Sequence, residues 1–257
     1  MSNVSPTLPP VASDTNANAN ANAGIAKSAL PSLIIASKNY SSWSMRPWVL
    51  LTQFGIPFDE HVIALGQTDT AVHIAAFSPS GRLPCWIDGD YVVWDSLAIC
   101  ETLAERYPAH ALWPRDPVQR ARARAVSAEM HSGFGAVRNA MPMNIRGRAS
   151  ERVWRDDVLD DIARIDTLWT SCLATGEDAA RETQDGTGAV ESGFLFGAFS
   201  IADAMFVPIA MRFNTYPVRL SAAASAYVAR LTALPSVQSW MRTAMAEPAI
   251  DYYDVVL

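Results

Sequence analysis

Three serine hydroxyls crowd one short stretch, Tyr40-Ser-Ser-Trp-Ser-Met-Arg46-Pro47, directly ahead of a run that reads as a helix. Hydroxyls there can cap backbone N–H groups that have no intrahelical acceptor. They can also join those N–H groups and the positive end of the helix dipole in holding an anion, a serine donating its proton to a thiolate or carboxylate. The segment alone leaves both uses open. Leu83-Pro84 stands directly before a β-prone run. A cis peptide there would turn the chain and leave the backbone groups of Leu83 outside the sheet, where an extended peptide-like ligand could pair with them. An ordinary trans proline is the commoner use of such a dipeptide. Asp95-Ser96 opens a further helix. Its serine hydroxyl and N–H can donate to a ligand carboxylate while the aspartate pairs with an ammonium, which suits an α-amino-acid zwitterion. A plain aspartate N-cap is the alternative. Ser200-Ile-Ala-Asp203 has the form of a capping box and is read as structural.

The elements that must position these groups follow from periodicity and turn chemistry. Leu33 to Ala36 is a short apolar run of the kind found in a strand covered on both faces. The polar loop from Ser37 to Ser42 leads into a helix predicted from about Ser44 to Phe54, with Pro47 in its first turn and Gly55 just past its end. Asp59 to Ala64 reads as a second strand, parallel to the first through a right-handed crossover. A weakly helical stretch at Thr70 to Phe77 precedes the loop holding Leu83-Pro84. Cys85 to Asp88 and Tyr91 to Trp94, joined by Gly89-Asp90, read as an antiparallel hairpin. Asp95 caps a helix running to about Arg106, stopped by Pro108. From Asp116 onward the apolar residues fall at helical spacing and the chain reads as a bundle. Its later helices are predicted at Ser200 to Phe213, Ala222 to Leu234 and about Ser236 to Ala246. Thr175 to Ser192, rich in Gly, Glu, Asp and Thr, reads as an exposed loop.

Composition narrows the class. The chain has 257 residues, half of them hydrophobic, which is enough for a sizeable core. A formal net charge of -6 argues against a nucleic-acid partner, which needs clustered Lys and Arg in excess. Three widely spaced cysteines, Cys85, Cys100 and Cys172, fit neither a disulfide framework nor a zinc site and point to a reducing, cytoplasmic compartment. No metal is expected. Residues 1–30 carry an Asn-Ala repeat and few bulky apolar side chains, so they read as a disordered tail rather than a secretory signal. Nothing in the sequence reaches the roughly 18 consecutive apolar residues of a membrane span.

Taken in order, "SSWSMRPW", "GRLPCW", "WDSLAICETLAERYP" and "FSIADAMFVP" resemble the cytosolic glutathione transferases, over about Ser32 to Pro248. The resemblance is nearest to zeta-like and related bacterial serine-type members. It implies an α/β plus all-α fold: a thioredoxin-like glutathione-binding domain at 31–110 and an all-helical substrate domain at 115–250. It implies glutathione as co-substrate, extended beside Leu83 and Pro84, with its γ-glutamyl end at Asp95 and Ser96. The thiol would be activated by Ser41, flanked by Ser42 and Ser44 in the binding loop. The distance to Gly55 favours Ser41, with Ser42, Ser44 and Tyr40 as alternatives. Trp43 stands where zeta enzymes carry cysteine, and Asp95 where many relatives carry Glu or Gln.

A small hydrophobic electrophile is expected against Met130, His131, Phe134 and Arg138, with His131, Gly135 and Arg138 on one face of a single helix. The resemblance further implies a homodimer with a role in detoxification. Related chemistries are glutathione-dependent isomerisation, dehalogenation and peroxide reduction. A non-catalytic interaction module is the reading from a different class.

Overall fold

The computed structural model describes residues 29–182 and 192–254. The expected tail therefore lies, but for its last two residues, outside the described residues. The first domain is a four-stranded sheet, β1 (Ser32–Ala36), β2 (Asp59–Ile63), β3 (Cys85–Asp88) and β4 (Tyr91–Trp94), in the order β2-β1-β3-β4. β1 runs parallel to β2, with Ser32 opposite Asp59, and antiparallel to β3, with Leu33 opposite Trp86. The β3–β4 hairpin turns at Gly89, whose φ of +61° is open to glycine.

Helices α1 (Ser42–Gln53), α2 (Thr70–Phe77) and α3 (Ser96–Arg106) complete this domain. Successive side chains of a strand point to opposite faces, and β1 shows what that does here. Leu33 and Ile35 join the main core with Trp86 and residues of α1 and α3, whereas Ile34 joins Ile63, Phe77, Cys85 and Ile87 in a second, smaller core. Both faces of the strand are therefore covered, which is why its five residues are all buried.

The second domain comprises α4 (Pro117–Ser132), α5 (Gly135–Ala140), α6 (Asp156–Glu182), α7 (Ile201–Thr215), α8 (Ala222–Ala233), α9 (Pro235–Ala246) and a short α10 (Asp251–Asp254). Helix α7 is buried on nearly every side, as its all-round apolar sequence requires. Its expected capping box is present, Ser200 and Asp203 each satisfying a backbone N–H of the first turn.

Two expectations need correction. Helix α6 continues to Glu182, so residues from Thr175 to Glu182 are helical rather than loop, and 183–191 lie outside the described residues. Helix α1 begins at Ser42 with Ser41 as its N-cap, so Pro47 falls in its second turn instead of its first. There it deprives the Trp43 carbonyl of its intrahelical donor. Among the described residues no helix is long and apolar enough to cross a membrane, and no cluster of three or more His, Cys, Asp or Glu could hold a metal ion.

Candidate active site

The first turn of α1, the loop entering β3, the β4–α3 junction and the end of α4 converge on one cleft of about 490 Å³. Of the residues singled out by sequence, Leu83, Pro84, Asp95, Ser96 and His131 line it. Trp43, Ser80, Arg82 and Trp94 line it too. Sequence reasoning missed these four as site residues, although Trp43 and Trp94 directly adjoin the motifs it had singled out. The Leu83–Pro84 peptide is cis, and the antiparallel ladder begins only at Cys85, so Leu83 lies just outside the sheet.

The three serines of the first loop have separate fates. Ser44 is fully buried, and its Oγ accepts from the N–H of Ala36 at 3.1 Å and from the hydroxyl of Ser41 at 2.8 Å. Ser42 is buried as well and accepts from Arg212 Nη2 at 3.2 Å. Both are turned into the protein, which corrects the expectation that they face a ligand. Ser41 alone of the three is half-buried; it caps α1 and keeps a hydroxyl that can swing from Ser44 to a new acceptor. It is not among the residues lining the cleft, where Trp43 forms the neighbouring wall. Tyr40 leaves the list of alternatives, because its hydroxyl donates to Asp254 at 2.9 Å and accepts from Arg146 and from the N–H of Ile250.

Asp95 uses its two oxygens differently. Oδ1 caps α3, accepting from the N–H groups of Leu97 at 2.9 Å and Ala98 at 3.1 Å. Oδ2 lies 3.2 Å from His131 Nε2. The backbone of Asp95 is held at φ 78°, ψ 132°, a region that side-chain-bearing residues rarely adopt. The Ser96 Oγ accepts from Arg46 Nη1 at 3.2 Å, so its own proton remains for another acceptor. Burial holds the His131 imidazole below its ordinary range against the opposing pull of Asp95, and its Nδ1 is a buried atom with no partner among the described residues.

Positive charge gathers behind this wall. Arg46 lies 4.3 Å over the Trp43 ring and Arg138 lies 5.3 Å from it, both within cation–π reach. The His131 ring meets Trp43 edge-on at 5.3 Å. Burial, reinforced by Arg212 and Arg138, brings Arg46 down to about 9, and its Nε has no partner among the described residues. Burial likewise brings Arg212 down to about 10, and its hydrogen bonds go to the carbonyls of Met141 and Pro208 and to Ser42, all neutral acceptors.

The expected electrophile wall is rearranged. No single helix carries His131, Gly135 and Arg138: α4 ends at Ser132, and Phe134 sits in the left-handed region at φ 56° before α5 begins. Arg138 nevertheless folds back and donates to the His131 carbonyl at 3.2 Å. Met130 and Phe134 are buried in the hydrophobic core, and neither lines the cleft. All three cysteines are buried, and burial pushes the Cys85 thiol up to about 12, which makes it a poor nucleophile.

A sheet domain of order β2-β1-β3-β4 with a cis-proline beside the cleft, followed by a helical domain, is the thioredoxin-like two-domain architecture. Residues 40–106 match the family model for the glutathione S-transferase N-terminal domain. A probable maleylacetoacetate isomerase of Caenorhabditis elegans is 30% identical over 99 residues, covering 38% of this chain and 46% of that protein. The maleylacetoacetate isomerase of Mus musculus is 31% identical over 130 residues, covering 49% of this chain and 60% of that protein. The chain thus matches about half the length of these curated relatives. In three dimensions it resembles a glutathione transferase homologue from Burkholderia GL BGR1 with bound glutathione, at 24% identity and a TM-score of 0.57 over 84% of this chain and 99% of the other. The chain therefore carries a glutathione S-transferase N-terminal domain and has the fold of the glutathione transferases.

Proposed function

We propose that this protein binds glutathione in the cleft between the cis-proline loop and α3, and uses Ser41 to activate its thiol as a nucleophile. One observation carries the reading: a cis-Leu83–Pro84 edge and an Asp95-Ser96 helix mouth, suited to two parts of one γ-glutamyl peptide, line a single cleft, and the Ser41 N-cap stands two residues before Trp43 on its wall. The Leu83 backbone pairs with the extended cysteinyl peptide. Ser96 donates to the α-carboxylate with the Arg46 guanidinium behind it, and Asp95 Oδ2 takes the α-ammonium. Arg82, at the rim, suits the glycine carboxylate.

At the sulfur the chemistry is a matter of pKa. A free thiol of about 8.5 is only a few per cent ionised at neutral pH. The Ser41 hydroxyl, rotated away from Ser44, together with the N-terminus of α1 and the nearby guanidiniums, favours the thiolate. The thiolate then attacks an electrophile held against Trp43, between His131 and Arg138. In a transferase reaction the new carbon–sulfur bond persists. In the second reading, favoured by the relatives named as maleylacetoacetate isomerases, the thiolate adds to a double bond, the resulting single bond rotates and the thiolate leaves unchanged. The cationic flank of Trp43 favours an electrophile with an anionic substituent over the purely hydrophobic one expected from sequence.

The test is ultraviolet titration of the bound thiolate in wild type and Ser41→Ala. The variant should raise the thiol pKa by about one unit or more, about tenfold less thiolate near neutrality. An equal pKa in both proteins would reject Ser41. A panel of aryl halides, maleyl compounds, enones and peroxides separates transferase from isomerase and peroxidase activity, while silence across the panel with intact glutathione binding supports a binding module. The reading also includes a homodimer in the cytoplasm, formed on the β4 side where Tyr91 and Trp94 are exposed, and sedimentation at micromolar concentration tests the assembly.

A further inference from the structure

The residues just ahead of Ser41 are held by the far end of the chain. Beyond α9, the Glu247 carboxylate accepts from the N–H of Lys38 at 2.7 Å and from that of Asn39 at 2.9 Å. Within α9, Trp240 Nε1 donates to the Lys38 carbonyl at 3.0 Å, so the Lys38 backbone is gripped through both its N–H and its carbonyl. One residue nearer the serine, the Tyr40 hydroxyl donates to Asp254 at 2.9 Å and accepts from the Ile250 N–H at 3.0 Å, while its ring stacks on Tyr253 at 5.1 Å. Arg146 closes the ring of contacts, donating to the Tyr40 oxygen and to the Glu247 carbonyl.

These bonds converge on three consecutive residues whose covalent continuation is Ser41. Within the loop, backbone bonds from the Tyr40 and Ser41 N–H groups to the Ser37 carbonyl form a single turn, which fixes shape but not placement. Placement comes from two segments: 240–254, which holds Lys38, Tyr40 and the Asn39 N–H, and 144–146, where Asn144 accepts from the Asn39 side chain at 2.9 Å and the N–H groups of Ile145 and Arg146 donate to the Asn39 carbonyl and side-chain oxygens. None of these contacts touches Asp95 or Ser96, whose side chains are held by the first turn of α3 and by Arg46. Proton donation to a sulfur depends on tenths of an ångström, and a side chain near its target but loosely supported loses most of its effect.

We propose that residues 247–254 form a latch that positions Ser41, with Glu247 and Tyr40 as positioning residues acting through the 38–40 loop. The inference rests on the reading of Ser41 as thiol activator and adds a requirement for the chain end. It also gives Tyr40, a reserve candidate for the chemistry, a different task.

The test uses full-length Glu247→Ala and Tyr40→Phe, the latter keeping the stacked ring and losing the hydroxyl bonds. In Glu247→Ala the bound thiol pKa should rise by about one unit and kcat fall about tenfold, with the KM for glutathione within about twofold, because the groups that bind the peptide are elsewhere. Tyr40→Phe should shift both in the same direction, and Glu247→Gln, which restores one acceptor, should recover part of the loss. A lower melting temperature with unchanged thiol pKa and kcat in both variants would overturn the latch. If Glu247→Ala does not fold, Tyr40→Phe decides the matter in the same way. Amide exchange without ligand is an independent arm: Glu247→Ala should speed exchange at Lys38 to Ser42 about tenfold or more while leaving Ile99 to Leu103 unchanged. Unchanged exchange at Lys38 to Ser42 also overturns the proposal. Should wild-type protein show no thiolate band with glutathione, the function proposed above fails, and the latch is judged by exchange alone.

Discussion

Asp203 offers the sharpest test of how the helical domain is built. Its carboxylate is completely buried and accepts four hydrogen bonds, from the N–H groups of Leu195 at 3.0 Å and Ser200 at 2.9 Å, from the Ser200 hydroxyl at 3.0 Å and from Tyr227 at 2.8 Å. Asp203→Ala leaves two backbone donors and the Ser200 and Tyr227 hydroxyls without this acceptor in the core, each worth about 1–3 kcal/mol, for a total loss of about 3–5 kcal/mol once partial relaxation is allowed. Urea unfolding of both proteins at equal pH measures it, and a loss below about 1 kcal/mol would refute the reasoning.

The pH dependence has a definite sign. Burial pushes the carboxyl up from 3.8 to about 6, so the folded state binds the proton more tightly than the unfolded state. The contribution of this group to stability is then greatest below about pH 4 and declines as pH rises through 6, by about 1.4 kcal/mol per unit or about 3 kcal/mol in all. The stability gap between wild type and Asp203→Ala should therefore narrow from pH 4.5 to 7.5, and widening would contradict the assignment of burial as the dominant cause. Helix α7 carries Arg212 to Ser42, so glutathione binding should weaken in this variant only where unfolding begins.

Three further outcomes are expected. Protonation of His131 below its ordinary range places an imidazolium against Asp95, in competition with a ligand ammonium, so glutathione affinity should fall about threefold or more from pH 7 to 5 and far less in His131→Gln; calorimetry at several pH values decides. Of the eight tryptophans, Trp43 and Trp94 line the cleft, so saturating glutathione should change the intrinsic fluorescence, and Trp43→Phe should remove about half or more of that response. With Cys85, Cys100 and Cys172 all buried, none should react with a thiol reagent in the native state within minutes, and all three should react in denaturant.

Local chemistry was legible in the sequence wherever cause and effect lie within a few residues. The Asp95 cap, the turn at Gly89, the Ser200 capping box and the strand and helix order all depend on neighbours, and they stand where spacing put them. What spacing could not show is contact across the fold. Ser44 is consumed by Ala36, Ser42 by Arg212 and Tyr40 by Asp254, Arg146 and Ile250, some of these partners lying more than a hundred residues away. The loop expected from Thr175 failed for a different reason, since a long helix already under way continues through that polar composition to Glu182. The break at Phe134 was also hidden, because a left-handed phenylalanine has no sequence signature comparable to glycine.

The left-handed backbone of Asp95 sets two selection pressures against each other. Glycine would occupy φ 78° without the steric cost, relieving about 1–3 kcal/mol, and as an N-cap it gives up only a few tenths relative to aspartate. It would also delete the one carboxylate at the helix mouth. A library screened for heat resistance alone should therefore enrich Asp95→Gly and gather well-folded proteins without that carboxylate, whereas a screen for glutathione binding should discard the same variant. That single codon reports which of the two demands, endurance or recognition, has shaped a given homologue.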